Sequence, residues 1–165
     1  MYDMKVIDKF LPEIEFEKLR KIVIEDNDMP WYFNDTINVH HDITDNKCYF
    51  THHLFNRKSN YLYSNFFHHF NTLFDTMEVK ALMRVKVNCY PRTEKVEIHE
   101  EHIDMPFTHK GAVFYLNTCD GYTIIEGKKV ESLENRIVFF DPSLPHTSTS
   151  CSNTKARFNI NINYF

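Results

Sequence analysis

Apolar residues recur at two spacings along this chain, and the change of spacing divides it. Phe16, Leu19, Ile22 and Val23 lie three or four positions apart or side by side, the period of one helical face. Glu13 and Glu15 come before Lys18, Arg20 and Lys21, the order that the helix dipole favours, and Pro12 suits a first turn. The pattern predicts an amphipathic helix from about Pro12 to Glu25, preceded by a short strand within Met4 to Phe10. Leu62, Phe66, Phe70, Leu73, Phe74 and Met77 trace a second helical face from about Asn60 to Thr76, and its aromatic stripe is a surface built to pack into a core. Between the two, Trp31 to Phe55 is rich in Asn, Asp and His with only short apolar pieces, which fits irregular strands and loops.

Beyond Glu78 the period shortens to two. From Ala81 to Tyr90, Met83, Val85, Val87 and Cys89 fall on one face, while Leu82, Arg84, Lys86, Asn88 and Tyr90 fall on the other, as successive strand residues must. Ala156 to Tyr164 repeats the device, with Arg157, Asn159, Asn161 and Asn163 opposite Phe158, Ile160, Ile162 and Tyr164. Further strands are predicted at 112–117, 122–126, 129–132, 136–140 and 146–150, and Glu126-Gly127-Lys128 reads as a tight hairpin. Short strands without intervening helices predict a mainly β, α+β chain: antiparallel sheets in a sandwich or barrel, with the two N-terminal helices packed outside.

Composition narrows the function classes. The 165 residues are enough for one domain with a real core. No repeat, linker or low-complexity tract divides them, so a single domain over 1–165 is expected. A net charge of -4 gives no global attraction to nucleic acid or anionic membrane and favours a small-molecule or peptide substrate. The N-terminus lacks a basic segment followed by an apolar one, and no apolar run approaches a membrane span, which predicts a cytoplasmic protein. Cys48, Cys89, Cys119 and Cys151 show no CxxC spacing, so reduced thiols are expected rather than a zinc knuckle or redox pair. Gly111, Gly121 and Gly127 are the only glycines; no phosphate loop or dinucleotide fingerprint can be built from them.

Candidate chemistry begins at His102-Ile103-Asp104. On an extended segment the imidazole and carboxylate point the same way and can reach one metal. Nearby His99 and His109 are rivals, with Glu100 and Glu101 the more natural members of a solvated charge run. The His99-to-His102 spacing does not fit the helical HExxH zinc motif. His146 follows the apolar run Ile137-Val138-Phe139-Phe140 and a Pro-containing turn, so a sheet framework would fix a third ligand. Two imidazoles and one carboxylate form the facial triad of non-haem Fe(II) oxygenases. Arg157 adds separate chemistry. If the polar face of its strand points inward it is a buried guanidinium that requires an anion, for which its planar fork suits a carboxylate; on an exposed edge it is merely a solvated side chain.

In order along the chain, Asn88-Cys89-Tyr90-Pro91, His102-x-Asp104, Tyr115-Leu116-Asn117, Gly121-Tyr122-Thr123, Asn135-Arg136-Ile137-Val138-Phe139-Phe140, His146 and Arg157-x-Asn159 resemble the 2-oxoglutarate/Fe(II)-dependent oxygenases. Within that superfamily the chain looks most like the prolyl-hydroxylase branch, and in particular its short single-domain members of phage and marine bacteria. The resemblance runs closely from Leu82 to the C-terminus, and the opening Val6-Ile7-Asp8-Lys9-Phe10-Leu11 before a helix is also typical.

The resemblance implies a double-stranded β-helix, or jelly-roll, and a set of roles. His102, Asp104 and His146 match the Fe(II) ligands, and Arg157 matches the cation that pairs with the distal carboxylate of 2-oxoglutarate. Tyr115 matches the tyrosine that meets the same carboxylate, and Tyr90 one that faces cosubstrate and iron. Asn88 corresponds to a cosubstrate contact of the nucleic-acid demethylase branch, while Asn159, Val113 and Thr123 are implied only as pocket lining. Fe(II), 2-oxoglutarate and dioxygen are the implied cofactor and cosubstrates. Because halogenating relatives lack the carboxylate ligand, Asp104 implies hydroxylation, with a peptidyl or free amino-acid side chain as first choice.

The chain departs from many relatives at Asp120-Gly121-Tyr122-Thr123, where they carry Gly-Gly-x-Thr. A nucleobase demethylase is the enzymatic alternative, set back by the acidic charge. A non-catalytic cupin-like module is the other, and it has no need of both Tyr115 and Arg157. Arg84 and Lys86 share a strand face with Asn88 and Tyr90, which leaves open whether they guide an anionic substrate or are simply solvated.

Overall fold

The computed structural model describes residues 3–37, 48–58 and 62–165. The N-terminal part of the chain contains strand β1 (Lys5–Ile7), helix α1 (Glu13–Arg20), a π-helical turn (Lys21–Glu25) and strands β2 (Tyr32–Asn34), β3 (Tyr49–Asn56) and β4 (Leu62–Tyr63). A 3-10 turn (Phe67–Phe70) leads into α2 (Asn71–Thr76). Strands follow without further helices: β5 (Leu82–Pro91), β6 (Lys110–Tyr115), β7 (Tyr122–Ile125), β8 (Lys128–Glu131), β9 (Arg136–Phe140), β10 (His146–Ser148) and β11 (Ala156–Tyr164).

All pairings between named strands are antiparallel. The large sheet runs β1-β9-β6-β11-β5-β3-β2 with β4 on β3, and the small sheet runs β10-β7-β8. The segment before β6 runs beside β10 and the residues after it through isolated bridges, His102 to His146 and Ile98 to Thr149 antiparallel and Arg92 to Cys151 parallel. Two stacked antiparallel sheets with the helices outside form the jelly-roll expected from the sequence. At the β7–β8 hairpin, Ile125 pairs with Lys128. Its two loop residues, Glu126 and Gly127, have φ of 49° and 74°, the positive values that a type I′ turn needs.

The large sheet carries different chemistry on its two faces. Val85, Val87, Ala112, Phe114, Ile137, Ile160 and Ile162 form one core with Phe16, Leu19, Val23, Phe70, Leu73 and Phe74 from the helical layer. Phe16 meets Phe114 edge to face at 6.1 Å. On the opposite face, between the sheets, a smaller apolar cluster of Val113, Tyr115, Ile125, Val130, Val138 and Phe140 fills one part. The rest of that interior is polar, and Arg157, Asn159 and Asn163 are buried there. The period-two alternation of β5 and β11 therefore sorts apolar residues to the helices and polar ones to the space between the sheets.

The second helix is shorter than its apolar spacing predicts. Asn60 lies outside the described residues, Leu62 and Tyr63 pair with β3 instead, and the helical path begins only after Ser64. The Ser64 hydroxyl accepts a 3.1 Å bond from the Phe66 N–H, while the Ser64 N–H donates to the Leu54 carbonyl. Ser64 thus ends a strand and starts a turn, a choice that hydrophobic period alone does not register. The expected first helix is present but continues as a π-helical turn from Lys21. No helix among the described residues is long and apolar enough to cross a membrane.

Asn135 anchors the N-terminal segment to the sheets. Its φ is 58°, a conformation that Asn tolerates better than most residues. Its side chain accepts from the Leu11 N–H and donates to the Leu11 carbonyl, each at 2.9 Å, and its carbonyl accepts from the Phe10 N–H. Asn135→Ala strands both backbone groups of Leu11 and is expected to lower the unfolding free energy by about 2–3 kcal/mol, measured by urea denaturation. A change below about 0.5 kcal/mol, ordinary for a surface site, would show that the clamp does not hold the segment.

Candidate metal centre

The geometry starts from the backbone. His102 and His146 exchange N–H to carbonyl hydrogen bonds, both 2.9 Å long, which sets the two side chains on the same face of the bridge. Their ring centroids are 4.6 Å apart. Two residues on, the Asp104 N–H donates to the Pro142 carbonyl at 2.8 Å, so the carboxylate returns to the histidine side while Ile103 faces out, 44% exposed. The candidate ligand atoms of His102, Asp104 and His146 all lie within 4.8 Å of one another.

Hydrogen bonding sets the tautomer of each ring. His146 Nδ1 lies 2.9 Å from the Leu144 carbonyl. A carbonyl can only accept, so Nδ1 carries the proton and Nε2 of the neutral ring is a bare lone pair. That Nε2 is buried with no hydrogen-bond partner and sits 4.0 Å from Asp104 Oδ2. His102 Nδ1 faces the Glu100 carbonyl in the same manner at 3.3 Å. Burial first, then the neighbouring His146, push the His102 imidazole below its ordinary pKa, which favours the neutral form that binds a metal.

Asp104 is held as an anion. Burial alone would raise its pKa, but the Arg84 charge, His146 and the Arg84 hydrogen bond outweigh that and hold the carboxyl far below the usual range. Arg84 Nη2 pairs with Oδ1 at 2.5 Å, and Asn161 Nδ2 approaches Oδ2 at 3.3 Å. With Oδ1 engaged, Oδ2 is the oxygen beside His146 Nε2. Two neutral imidazoles and one carboxylate oxygen can hold a divalent cation on three sides.

A cavity of ≈ 40 Å³ adjoins these three residues and is lined also by Lys86, Asn88, Tyr90, Val113, Thr123 and Asn159. Arg157 closes this part of the interior and is fully buried. Its Nη1 donates to the Thr149 carbonyl at 3.0 Å and its Nη2 to Thr123 Oγ1 at 2.8 Å, while Nε has no partner. Tyr115 donates to the same Thr123 oxygen at 2.8 Å, and the guanidinium lies 5.5 Å from the Tyr115 ring and 5.7 Å from the Tyr90 ring. No carboxylate among the described residues pairs with Arg157. Thr123 Oγ1 receives two donors, so its own proton must point elsewhere, and it borders the cavity. A cation and two hydroxyl groups thus meet at the Thr123 side of the cavity, away from the Asp104 carboxylate that Arg84 engages.

His102, Asp104, His146, Asn88 and Tyr90 border one cavity, and Arg157 and Tyr115 adjoin it through Thr123. Asn88 borders the cavity and donates to Asn159 at 2.9 Å. Tyr90 stacks on Tyr49 with centroids 5.4 Å apart, and burial raises its phenol pKa. The rival histidines are engaged away from the trio: His99 Nδ1 with Ser148 at 2.8 Å, and His109 Nε2 with Asn163 at 2.6 Å. Arg84 and Lys86 face the interior, which the strand face shared with Asn88 and Tyr90 had left open. Burial, then the Arg84 charge, draw the Lys86 ammonium down to about 8, against an upward pull from Asp104.

Two residues near the site were not read from the sequence as parts of it. Thr149 supplies the carbonyl on Arg157, and no residue-type signal marks a backbone acceptor. Gly121 gives the guanidinium its room, since a Cβ there would lie 2.6 Å from Arg157 Cδ and 2.5 Å from the Ser150 carbonyl oxygen. It stood in the Gly121-Tyr122-Thr123 motif of the resemblance, but nothing in the sequence tied it to Arg157.

The Arg84–Asp104 pair gives stability a definite pH dependence. A carboxyl whose folded pKa is depressed stabilises the fold above its unfolded pKa and ceases to do so as pH falls through the folded one. Arg84→Met leaves Asp104 buried without its cation, where burial raises the pKa and the sign reverses. In metal-free protein this variant is expected to lose about 3 kcal/mol at near-neutral pH, as for a broken buried pair, and distinctly less near pH 3, by urea denaturation. Equal losses at both would contradict the assigned pairing.

No protein-family model matches the sequence, and no curated protein does. Solved structures do match over nearly the whole chain. A prolyl hydroxylase from Trichoplax adhaerens, in complex with a hypoxia inducible factor oxygen degradation domain peptide fragment, aligns with TM-score 0.67 and 15% identity over 98% of this chain and 83% of its own. A Pseudomonas putida prolyl-4-hydroxylase gives 0.63 and 11% over 98% and 91%. The viral collagen prolyl hydroxylase of Paramecium Bursaria Chlorella virus-1, in its 2OG complex, gives 0.61 and 13% over 97% and 94%. The chain has the double-stranded β-helix fold that prolyl hydroxylases and other 2OG-Fe(II) oxygenases share.

Proposed function

We propose that this chain, acting as a single domain, is an Fe(II)- and 2-oxoglutarate-dependent dioxygenase that hydroxylates a C–H bond of an amino-acid side chain, free or within a peptide. The observation that carries the reading is the buried, partnerless Nε2 of His146, turned toward Asp104 and grouped with His102 within 4.8 Å. A bare buried lone pair costs free energy unless something occupies it, and the donor set of two imidazoles and a carboxylate fits Fe(II). His102, Asp104 and His146 would hold the ion. Arg157, which has no carboxylate partner among the described residues, would receive the far carboxylate of 2-oxoglutarate, with Tyr115 and Thr123 as hydroxyl partners. When bound, iron and cosubstrate supply the oxidising chemistry that no amino-acid side chain provides.

The chain's own residues orient and shield. Leu144 and Glu100 fix the tautomers of the two histidines, and Arg84 keeps Asp104 ionised with one oxygen engaged. Tyr90 and Tyr115 wall the cosubstrate end and keep it dry, which strengthens the attraction between a guanidinium and a carboxylate. A metal held by these three residues would keep its remaining positions for reactants. The peptide seen with the Trichoplax prolyl hydroxylase supports an amino-acid substrate class.

Arg157→Ala is the direct test of the cosubstrate role. With Mn(II) standing in for iron, calorimetric titration is expected to show 2-oxoglutarate binding weakened at least ~10-fold, since charge-assisted hydrogen bonds are lost, while Mn(II) affinity is retained. Equal loss of both, or loss of neither, would overturn the assignment.

A further inference from the structure

One cation of the interior is left over once the proposed centre is assembled. Arg84 is paired with Asp104, and Arg157 serves the cosubstrate in the reading above. Lys86 borders the same cavity as His102 and Asp104, and no carboxylate among the described residues pairs with it. Its contacts are with an aromatic residue: Nζ lies 3.5 Å from the Tyr49 hydroxyl and 5.4 Å from the centre of that ring.

Unpartnered nitrogen atoms also lie beside Lys86. His53 stands opposite Lys86 in the β3–β5 register, and its Nδ1 is buried without a partner. Arg84 Nε, two residues along β5, is likewise buried and unpartnered. Buried polar groups are ordinarily satisfied, so the unmet Arg84 Nε–H beside an ammonium without a carboxylate partner points to room for an acceptor, and His53 Nδ1 adds a second donor there in one of its two tautomers. Burial, followed by the Lys86 and Arg84 charges, pushes the His53 imidazole down to about 4, so the ring is neutral near pH 7. A neutral imidazole still has one N–H to donate.

We propose that Lys86, assisted by Arg84 Nε and His53, forms a carboxylate-binding subsite beside the metal centre, and that the substrate is a free amino acid held by its own carboxylate. This rests on the oxygenase reading and narrows its substrate class. One uncompensated ammonium matches one monoanionic group. An internal residue of a peptide has no backbone carboxylate to offer it.

Position in the strand fits this role. Tyr90, Asn88, Lys86 and Arg84 succeed one another along the inner face of β5, with Arg157, Asn159, Asn161 and Asn163 as their partners on β11. The cosubstrate cation stands at the Tyr90 level and the metal carboxylate contacts the Arg84 and Asn161 levels. Lys86 is thus four residues from the cosubstrate end, roughly 13 Å along a strand, on the metal side of the cavity.

The test uses full-length protein loaded anaerobically with Mn(II) and 2-oxoglutarate, and the probe is paramagnetic broadening of proton NMR signals from a pool of the twenty common free amino acids. At least one is expected to broaden, and neither its carboxamide nor its N-acetyl methylamide, which mimics an internal peptide residue, should do so. Lys86→Met is expected to weaken binding of the responding amino acid at least ~10-fold, with Mn(II) and 2-oxoglutarate affinities within about twofold of wild type. Broadening of no amino acid, equal broadening by the blocked forms, or an unaffected Lys86→Met overturns the proposal. A parallel loss of 2-oxoglutarate affinity assigns Lys86 to the cosubstrate and overturns it too. Failure of Mn(II) to bind wild type refutes the metal-centre reading itself, and the substrate proposal with it. The comparison between acid and blocked forms needs no variant and stands whether or not Lys86→Met folds.

Discussion

The backbone bridge between His102 and His146 is the constraint on which the candidate centre depends. Two reciprocal 2.9 Å hydrogen bonds fix the segment before β6 against β10, and strand geometry then dictates the rest. Asp104 comes back to the same side because it is two residues further on. Each histidine has Nδ1 against a carbonyl of the residue two before it, which leaves Nε2 for another partner. The three side chains are therefore organised by main-chain hydrogen bonds before any ion binds, and preorganisation of this kind avoids an ordering cost at the moment of binding.

The sheet behind the centre presents the complementary problem of a polar interior. Asn88 bonds to Asn159, Asn163 to Asn161, His109 to Asn163, and Arg157 to Thr123 and the Thr149 carbonyl. Such a network is costly unless its members are satisfied. Here the exceptions are informative, because of the five unpartnered atoms found among the described residues, His146 Nε2, Arg157 Nε, Arg84 Nε and Asn88 Oδ1 belong to residues of the candidate centre or its support, and the fifth, His53 Nδ1, stands opposite Lys86. A fold evolved for stability alone would place apolar residues there, as the opposite face of the same sheet does. The unpartnered groups thus gather in the polar interior and not on the apolar face of the sheet.

Much of this was legible in the alternation of β5 and β11, since a two-residue period assigns each side chain to a face, and the structure keeps those faces except at Leu82, which a register shift beside Tyr164 turns to the helical core. The ends of β11 and the Glu126-Gly127 hairpin also followed from period and turn chemistry. The trio of His102, Asp104 and His146 could be assembled from residue type and spacing but was separated from its rivals only by resemblance, because ten histidines make an HxD pair common by chance and no local pattern announces a bridge across 44 residues of chain. What sequence could not supply was the second partner of each group. Ser64 as a strand-ending turn, the Thr149 carbonyl on Arg157, and the space left by Gly121 are tertiary facts that residue type does not encode. Arg84 and Lys86 show the same limit: the strand face was readable, but which side of the sheet would be buried was not.

The central claim is that His102, Asp104 and His146 hold Fe(II) while Arg157 holds 2-oxoglutarate beside it. Anaerobic visible spectroscopy tests both halves at once. A weak metal-to-ligand charge-transfer band is predicted when wild-type protein receives Fe(II) and 2-oxoglutarate together, absent with either alone and absent in His146→Ala. Folded wild-type protein that gives no band with both present, or a His146→Ala variant that gives the same band, would contradict it.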